Sequence, residues 1–276
     1  MQIFNQYCME SGPIKLFVEH TTPGRPLLFC FPGYGNSPFI FEEMAAQLTE
    51  YTVVAIHLPW HGITQWPTSV KQTDSKWGQL LVALQQQFSP QHPHYSLLGY
   101  SMGGRYAASI YCHQPNTVDR LFLLAPDGLL RRFWYQLATS TSAGRLFFKA
   151  CLASYRLIYG LLSLSVKLGI STKGFLKMTS QYLLDAQERK ALYDRWVNSR
   201  YLNSHPTTLT QQLNEHKTPA TLILGEYDSV IVPKAAKALK GVLHLKIKWI
   251  KGSHALYKSS YLPTLISYLR GQDESA

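Results

Sequence analysis

The sequence predicts a doubly wound, mostly parallel α/β sheet with one inserted helical lid, and three observations predict it. Continuous apolar runs, LLFCF, RLFLLA and TLILG among them, recur along the 276 residues with helical patterns between them. That alternation stops between about Gly128 and Glu215 and resumes at Thr218. A glycine-flanked serine, Gly99-Tyr100-Ser101-Met102-Gly103-Gly104, stands between one apolar run and the helical pattern that follows it. Unbroken apolar runs fit strands buried on both faces, as a parallel sheet requires. Regular alternation with helices then selects α/β layering.

Taken in order, strands are expected at 14–19, 27–31, 53–57, 95–98, 120–124, 221–224 and 245–250. A helix at 39–48 places Phe41, Met44, Ala45 and Leu48 on one face, with Asn36 and Ser37 upstream to cap it. Further helices are expected at 77–88, at 102–112, from near Pro233, and at 262–269, before a frayed tail at 271–276. The core is thus assigned to 1–128 and 216–276, and the lid to 129–215, where FWYQL, RLFFKACLASYRLIYGLL and YLLDAQERKALYDRW read as helical.

Charge and cysteine content narrow the classes. The chain carries a net +11, and Arg131, Arg132, Arg145, Lys149, Arg156, Lys167, Lys173 and Lys177 supply eight of those charges from a stretch without Asp or Glu. Such a segment attracts an anion, whether substrate or membrane surface, or else is a solvated face that aids solubility. Its cations alternate with apolar residues at helical spacing and no nucleic-acid motif accompanies them, so nucleic acid is not expected as a partner. Cys8, Cys30, Cys112 and Cys151 form no CxxC pair, which argues against redox chemistry, zinc or a disulfide framework. No secretory signal is read in the first dozen residues, and Lys149, Arg156 and Lys167 interrupt the apolar stretch 147–170. The expected location is the cytoplasm.

The chemistry is read from strand ends. A serine hydroxyl needs exposure and a neighbouring base to act as a nucleophile. A tight turn from strand to helix exposes Ser101, and small residues at Gly99 and Gly103 allow it. The helix N-terminus then turns the Met102 amide toward a developing oxyanion. The loop Phe31-Pro32-Gly33-Tyr34-Gly35 can bring a second amide, that of Tyr34. Of ten histidines, His254 follows a strand and precedes the last helix, the place for a base at the carboxyl edge of a parallel sheet. His57 and His61 flank Pro59 without the helical spacing of a metal site. Asp228, in GEYDSVIVP, is favoured to orient the histidine, and Asp127, in LAPDG, is the competitor. The order Ser, Asp, His matches the architecture.

GYSMGG, GEYDSVIVP and GSH together resemble the α/β-hydrolase superfamily, and HLPWHG resembles its Asp-x-Pro-Gly-His-Gly loop. The resemblance covers roughly 14–128 and 216–270. It departs at Pro32-Gly33, where His-Gly is usual, and at His57 and Trp60, which stand for Asp and Gly. Serine as nucleophile argues against the aspartate-based dehalogenase branch. GYSMGGR is also similar to the elbow of the menaquinone-pathway lyases that eliminate pyruvate, which implies an anion-binding role for Arg105 and for the lid arginines. The expected activity is ester or thioester hydrolysis by Ser101, His254 and Asp228 without metal or organic cofactor. Gly33, Arg105, Trp60 and Trp134 are candidate contacts to a small-molecule substrate with an apolar portion and an anionic group. The alternatives are that lyase chemistry and a non-catalytic binding protein on the same fold.

Overall fold

The apolar runs become the buried centre of one eight-stranded sheet, in the order β1-β2-β4-β3-β5-β6-β7-β8. Its strands are β1 (Asn5–Ser11), β2 (Ile14–His20), β3 (Leu27–Phe31), β4 (Thr52–Ile56), β5 (Tyr95–Tyr100), β6 (Val118–Leu124), β7 (Ala220–Gly225) and β8 (Leu245–Ile250). The computed structural model describes residues 3–129, 133–202, 205–231 and 233–272. From β4 to β8 every pairing is parallel, whereas β1, β2 and β4 pair antiparallel. β1 is a strand that the sequence reading does not contain. It runs antiparallel to β2 from Asn5↔His20 to Ser11↔Ile14, and the chain reverses at Gly12, whose φ of +59° favours glycine.

Period-two alternation divides the core between two faces. Leu27, Phe29 and Phe31 of β3 face one cluster, with Trp77 and Leu81 of α2 (Asp74–Phe88) and Tyr106 of α3 (Met102–His113). Leu28 and Cys30 face the other, with Met44 of α1 (Glu42–Gln47) and Leu265 of the last helix, Leu262–Arg270. Residues that alternate in this way build a sheet covered by helices on both sides. The predicted helix at 39–48 begins as a 3-10 turn, Pro38–Phe41, capped by the Ser37 hydroxyl, before α1 proper. The segment from Pro233 is likewise a 3-10 helix, ending at Leu239.

The chain divides into two compact units, one of Met1–Leu130 with Leu202–Ala276 and one of Arg131–Tyr201. The second contains α4 (Phe133–Ser140), α5 (Ser142–Ala153), α6 (Tyr155–Lys167), α7 (Lys173–Leu183) and α8 (Ala186–Asn198). Trp196 of α8 is its aromatic centre, with the rings of Tyr135, Phe148 and Phe175 between 5.6 and 6.3 Å away. Arg189 ties three elements by donating to the carbonyls of Leu152, Leu183 and Leu184. The next helix, α9 (Pro206–His216), belongs to the first unit although the sequence reading assigns it to the insertion. Its Leu209 and Leu213 are buried in the sheet's own core, and Tyr111 of α3 donates to the Gln212 carbonyl. The final helix, Leu262–Arg270, is α10. Among the described residues no single helix is long and apolar enough to cross a membrane.

Candidate active site

The turn after β5 is built so tightly that only glycine fits two positions either side of the serine. Ser101 adopts φ 49° and ψ −116°, a backbone conformation that residues other than glycine rarely hold. A Cβ on Gly103 would lie 1.9 Å from the Phe31 carbonyl oxygen, and one on Gly99 would lie 2.4 Å from that of Gly103. The first turn of α3 therefore touches the backbone leaving β3. The Ser101 amide donates to Leu124 (2.9 Å), and the Ser101 carbonyl accepts from Gly104 (2.9 Å) and Asp127 (2.7 Å). These bonds hold the strained residue from both sides.

Three strand ends converge on the hydroxyl. His254, in the loop after β8, has Nε2 at 2.9 Å from Ser101 Oγ and Nδ1 at 2.7 Å from Asp228 Oδ2. Asp228, in the loop after β7, is 4% exposed, and its Oδ1 accepts from the amides of Val230 (2.8 Å) and Ile231 (2.9 Å). A carboxylate that accepts two amides is fixed as an acceptor, so Nδ1–H donates to it. Nε2 is then left to accept the serine hydrogen. The loops that carry Asp228 and His254 meet backbone to backbone, with the Tyr227 amide on the Gly252 carbonyl at 3.1 Å.

Asp127, the competing carboxylate, is engaged elsewhere. Its Oδ2 accepts from Arg105 at 2.6 Å, a pair that is largely buried, while its amide braces the serine turn. Arg105 is thus brought beside the serine turn with its guanidinium on a protein carboxylate.

The remaining candidates fall at different places. Met102 is the first residue of α3, so its amide has no acceptor within the helix. Tyr34 lies in the turn closed by the Asn36 amide on the Gly33 carbonyl (3.1 Å). Gly33 has no room for a side chain, since a Cβ there would sit 2.8 Å from Asn36 Oδ1 and 2.9 Å from the Tyr100 ring. Trp60 is half-buried against the core and has φ +60°, the left-handed conformation for which the related loop uses glycine. His57, in place of the usual aspartate, bonds the buried Glu19 through Nε2 at 2.9 Å. The Trp134 side chain lies outside the described residues. Among the described residues no group of three or more His, Cys, Asp or Glu could share a metal ion.

Sequence reasoning missed Tyr100. Its hydroxyl donates to the His254 carbonyl at 3.2 Å and its ring packs 5.4 Å from the imidazole. The position between Gly99 and Ser101 was visible, but a contact with a residue so distant in the chain carries no local signal.

Comparisons with known proteins identify the fold family. A family model described as the alpha/beta hydrolase fold matches residues 26–258. An uncharacterized hydrolase of Bacillus subtilis (strain 168), YugF, is 24% identical over 258 residues, covering 92% of each chain. Among solved structures, a membrane phospholipase A described as a bacterial virulence factor superposes with TM-score 0.66 at 16% identity, over 98% of this chain and 86% of that one. The thioesterase domain of the curacin biosynthetic pathway gives TM-score 0.66 at 17% identity, over 97% and 99%. The family match spans most of the chain, and the sheet order and helical layers follow the same design. The chain belongs to the α/β-hydrolase family.

Proposed function

We propose that the chain is a serine hydrolase that cleaves a carboxylic ester or thioester through an acyl-enzyme on Ser101. The observation that carries this reading is the unbroken hydrogen-bonded series from Ser101 Oγ through His254 to the buried Asp228, at 2.9 and 2.7 Å. As Oγ attacks the carbonyl carbon, Nε2 of His254 takes its proton. The Asp228 carboxylate, 2.7 Å from Nδ1, holds the ring and stabilises the imidazolium. The carbonyl oxygen becomes an oxyanion facing the amides of Met102 and Tyr34, each worth about 3–4 kcal/mol in the transition state. The imidazolium protonates the leaving alkoxide or thiolate, and the acyl group remains on Oγ. Water then attacks the acyl carbon, gives its proton to Nε2, and the serine recovers its hydrogen as the acid departs.

The lyase reading rests on Arg105 as an anion site, and the Asp127 carboxylate at 2.6 Å already opposes that charge. Hydrolysis is therefore favoured. The substrate class proposed with it has an apolar portion and an anionic end, the latter because the inserted segment is rich in cations and holds no acidic residue from 131 to 184. Rates on matched neutral and carboxylated esters test that part, and equal rates remove the anionic end.

A fluorophosphonate probe tests the chemistry. The native chain should label covalently, and Ser101→Ala and His254→Ala should both lose the label. A folded native chain that neither labels nor turns over esters or thioesters would leave a binding protein as the better account.

A further inference from the structure

Helix α6 has two apolar faces and buries only one. Tyr155, Ile158, Leu162 and Val166 are buried or half-buried and form its inner face. Leu157, Leu161, Leu164 and, just past the last turn, Leu168 form another stripe, with exposures of 49%, 37%, 51% and 64%. Their spacing of four, three and four residues aligns them along one side of a helix. The preceding helix, α5, adds Leu146 at 71% and Phe147 at 64% exposure, and Ile170 follows at 47%. Isolated apolar residues on a surface are ordinary, but an aligned set marks an interaction surface.

The charges around this stripe choose among partners. Arg156 and Lys167 are exposed and lie roughly 90° around the helix from the leucines, on one flank. Lys173 and Lys177 of α7 are exposed as well, and no Asp or Glu occurs from 131 to 184. A second copy pairing through the same face would oppose cation to cation. Nucleic acid would meet leucines where stacking aromatics and polar contacts are needed. A bilayer with anionic headgroups offers both halves of the match, acyl chains for the leucines and phosphates for the cations. Arg and Lys reach the headgroups by extending past apolar neighbours. The two helices bend by 113° at their junction and neither is long and apolar enough to span a bilayer alone, a geometry that suits lying in the interface.

We infer that α5 and α6 dock this chain on the surface of an anionic lipid bilayer, with Leu157, Leu161, Leu164 and Leu168 inserted and Arg156 and Lys167 at the phosphates. The inference does not depend on the proposed chemistry at Ser101. Co-sedimentation of the full chain with phosphatidylcholine vesicles, with and without phosphatidylglycerol, tests it. The native chain should pellet with the anionic vesicles and stay largely in solution with the neutral ones. The triple variant L157S/L161S/L164S should partition at least about a hundredfold less, and R156Q/K167Q about thirtyfold less. Circular dichroism and thermal melting of both variants separate lost docking from lost folding, and the charge variant tests the idea even if the leucine variant unfolds. Four results would overturn it: a native chain that ignores anionic vesicles, equal binding to neutral ones, binding unchanged in the folded variants, or a leucine-dependent dimer in sedimentation velocity without lipid binding.

Discussion

Tyr100 touches two parts of the site: its ring fills the space that a Gly33 side chain would need, and its hydroxyl holds the His254 carbonyl. Tyr100→Phe keeps the ring and removes only that bond. Thermal denaturation should show a loss of about 0.5–1.5 kcal/mol, and steady-state kinetics should show a lower kcat at unchanged KM. The two carboxylates near the serine make a sharper test. Asp228→Asn should lower ester turnover by roughly 10⁴-fold, because an amide no longer selects the Nδ1–H tautomer. Asp127→Asn removes the charge opposite Arg105 and should cost stability while leaving turnover near that of the native chain. Which carboxylate meets the histidine was not legible beyond a preference, since both follow buried strands; the partner Arg105 distinguishes them only in three dimensions. Burial and, second, the charge of Asp74 push the Cys112 thiol up from 9.0 to about 12. The folded state holds that proton longer than the unfolded state, so its contribution is complete below pH 9.0 and is lost as pH rises toward about 12. The melting temperature of the native chain should therefore fall more steeply across that window than that of Cys112→Ala.

At the scale of elements, the strand-to-helix turn couples backbone strain to close packing. Gly103→Ala puts a methyl group 1.9 Å from a backbone oxygen that cannot rotate away, so β3 and α3 must separate. We expect a loss of about 3 kcal/mol and loss of fluorophosphonate labelling, read by melting and by gel fluorescence. Ser101→Gly acts oppositely on stability. It releases strain of about 1–3 kcal/mol, more than glycine's added unfolded-state entropy of about 0.5–1 kcal/mol. It should therefore melt above Ser101→Ala, although neither variant can label. This junction was readable because its requirements are local: a buried strand, small residues on each side, then a helix. β1 was not readable, because NQYCMES has neither an apolar run nor clean alternation. Its partner β2 and the turn at Gly12 make it a strand.

The division of the molecule follows from where apolar side chains are consumed. Among the described residues, the two core clusters on either face of the sheet draw on residues up to Leu129 and from Leu202 onward. The inserted unit gathers its own rings around Trp196 and closes its loops through Arg189. The change from strand–helix alternation to a basic, aromatic helical pattern showed the insertion in the sequence, but not its end. Helix α9 continues the run of helices with no strand before it, and the burial of Leu209 and Leu213 against the sheet assigns it to the first unit. Cores that share no residues should fold separately, since each already meets its own entropic cost of ordering. Replacing residues 131–201 by a short Gly-Ser linker should therefore leave a chain that melts cooperatively, with the α/β circular dichroism of the sheet. Because Ser101, Asp228 and His254 all lie on the first unit, that chain should still label with fluorophosphonate while losing its partition onto anionic vesicles. Retained labelling with lost lipid binding would assign chemistry and docking to different units. A chain that cannot fold without the insertion would show that burial within each unit is not enough to make it independent.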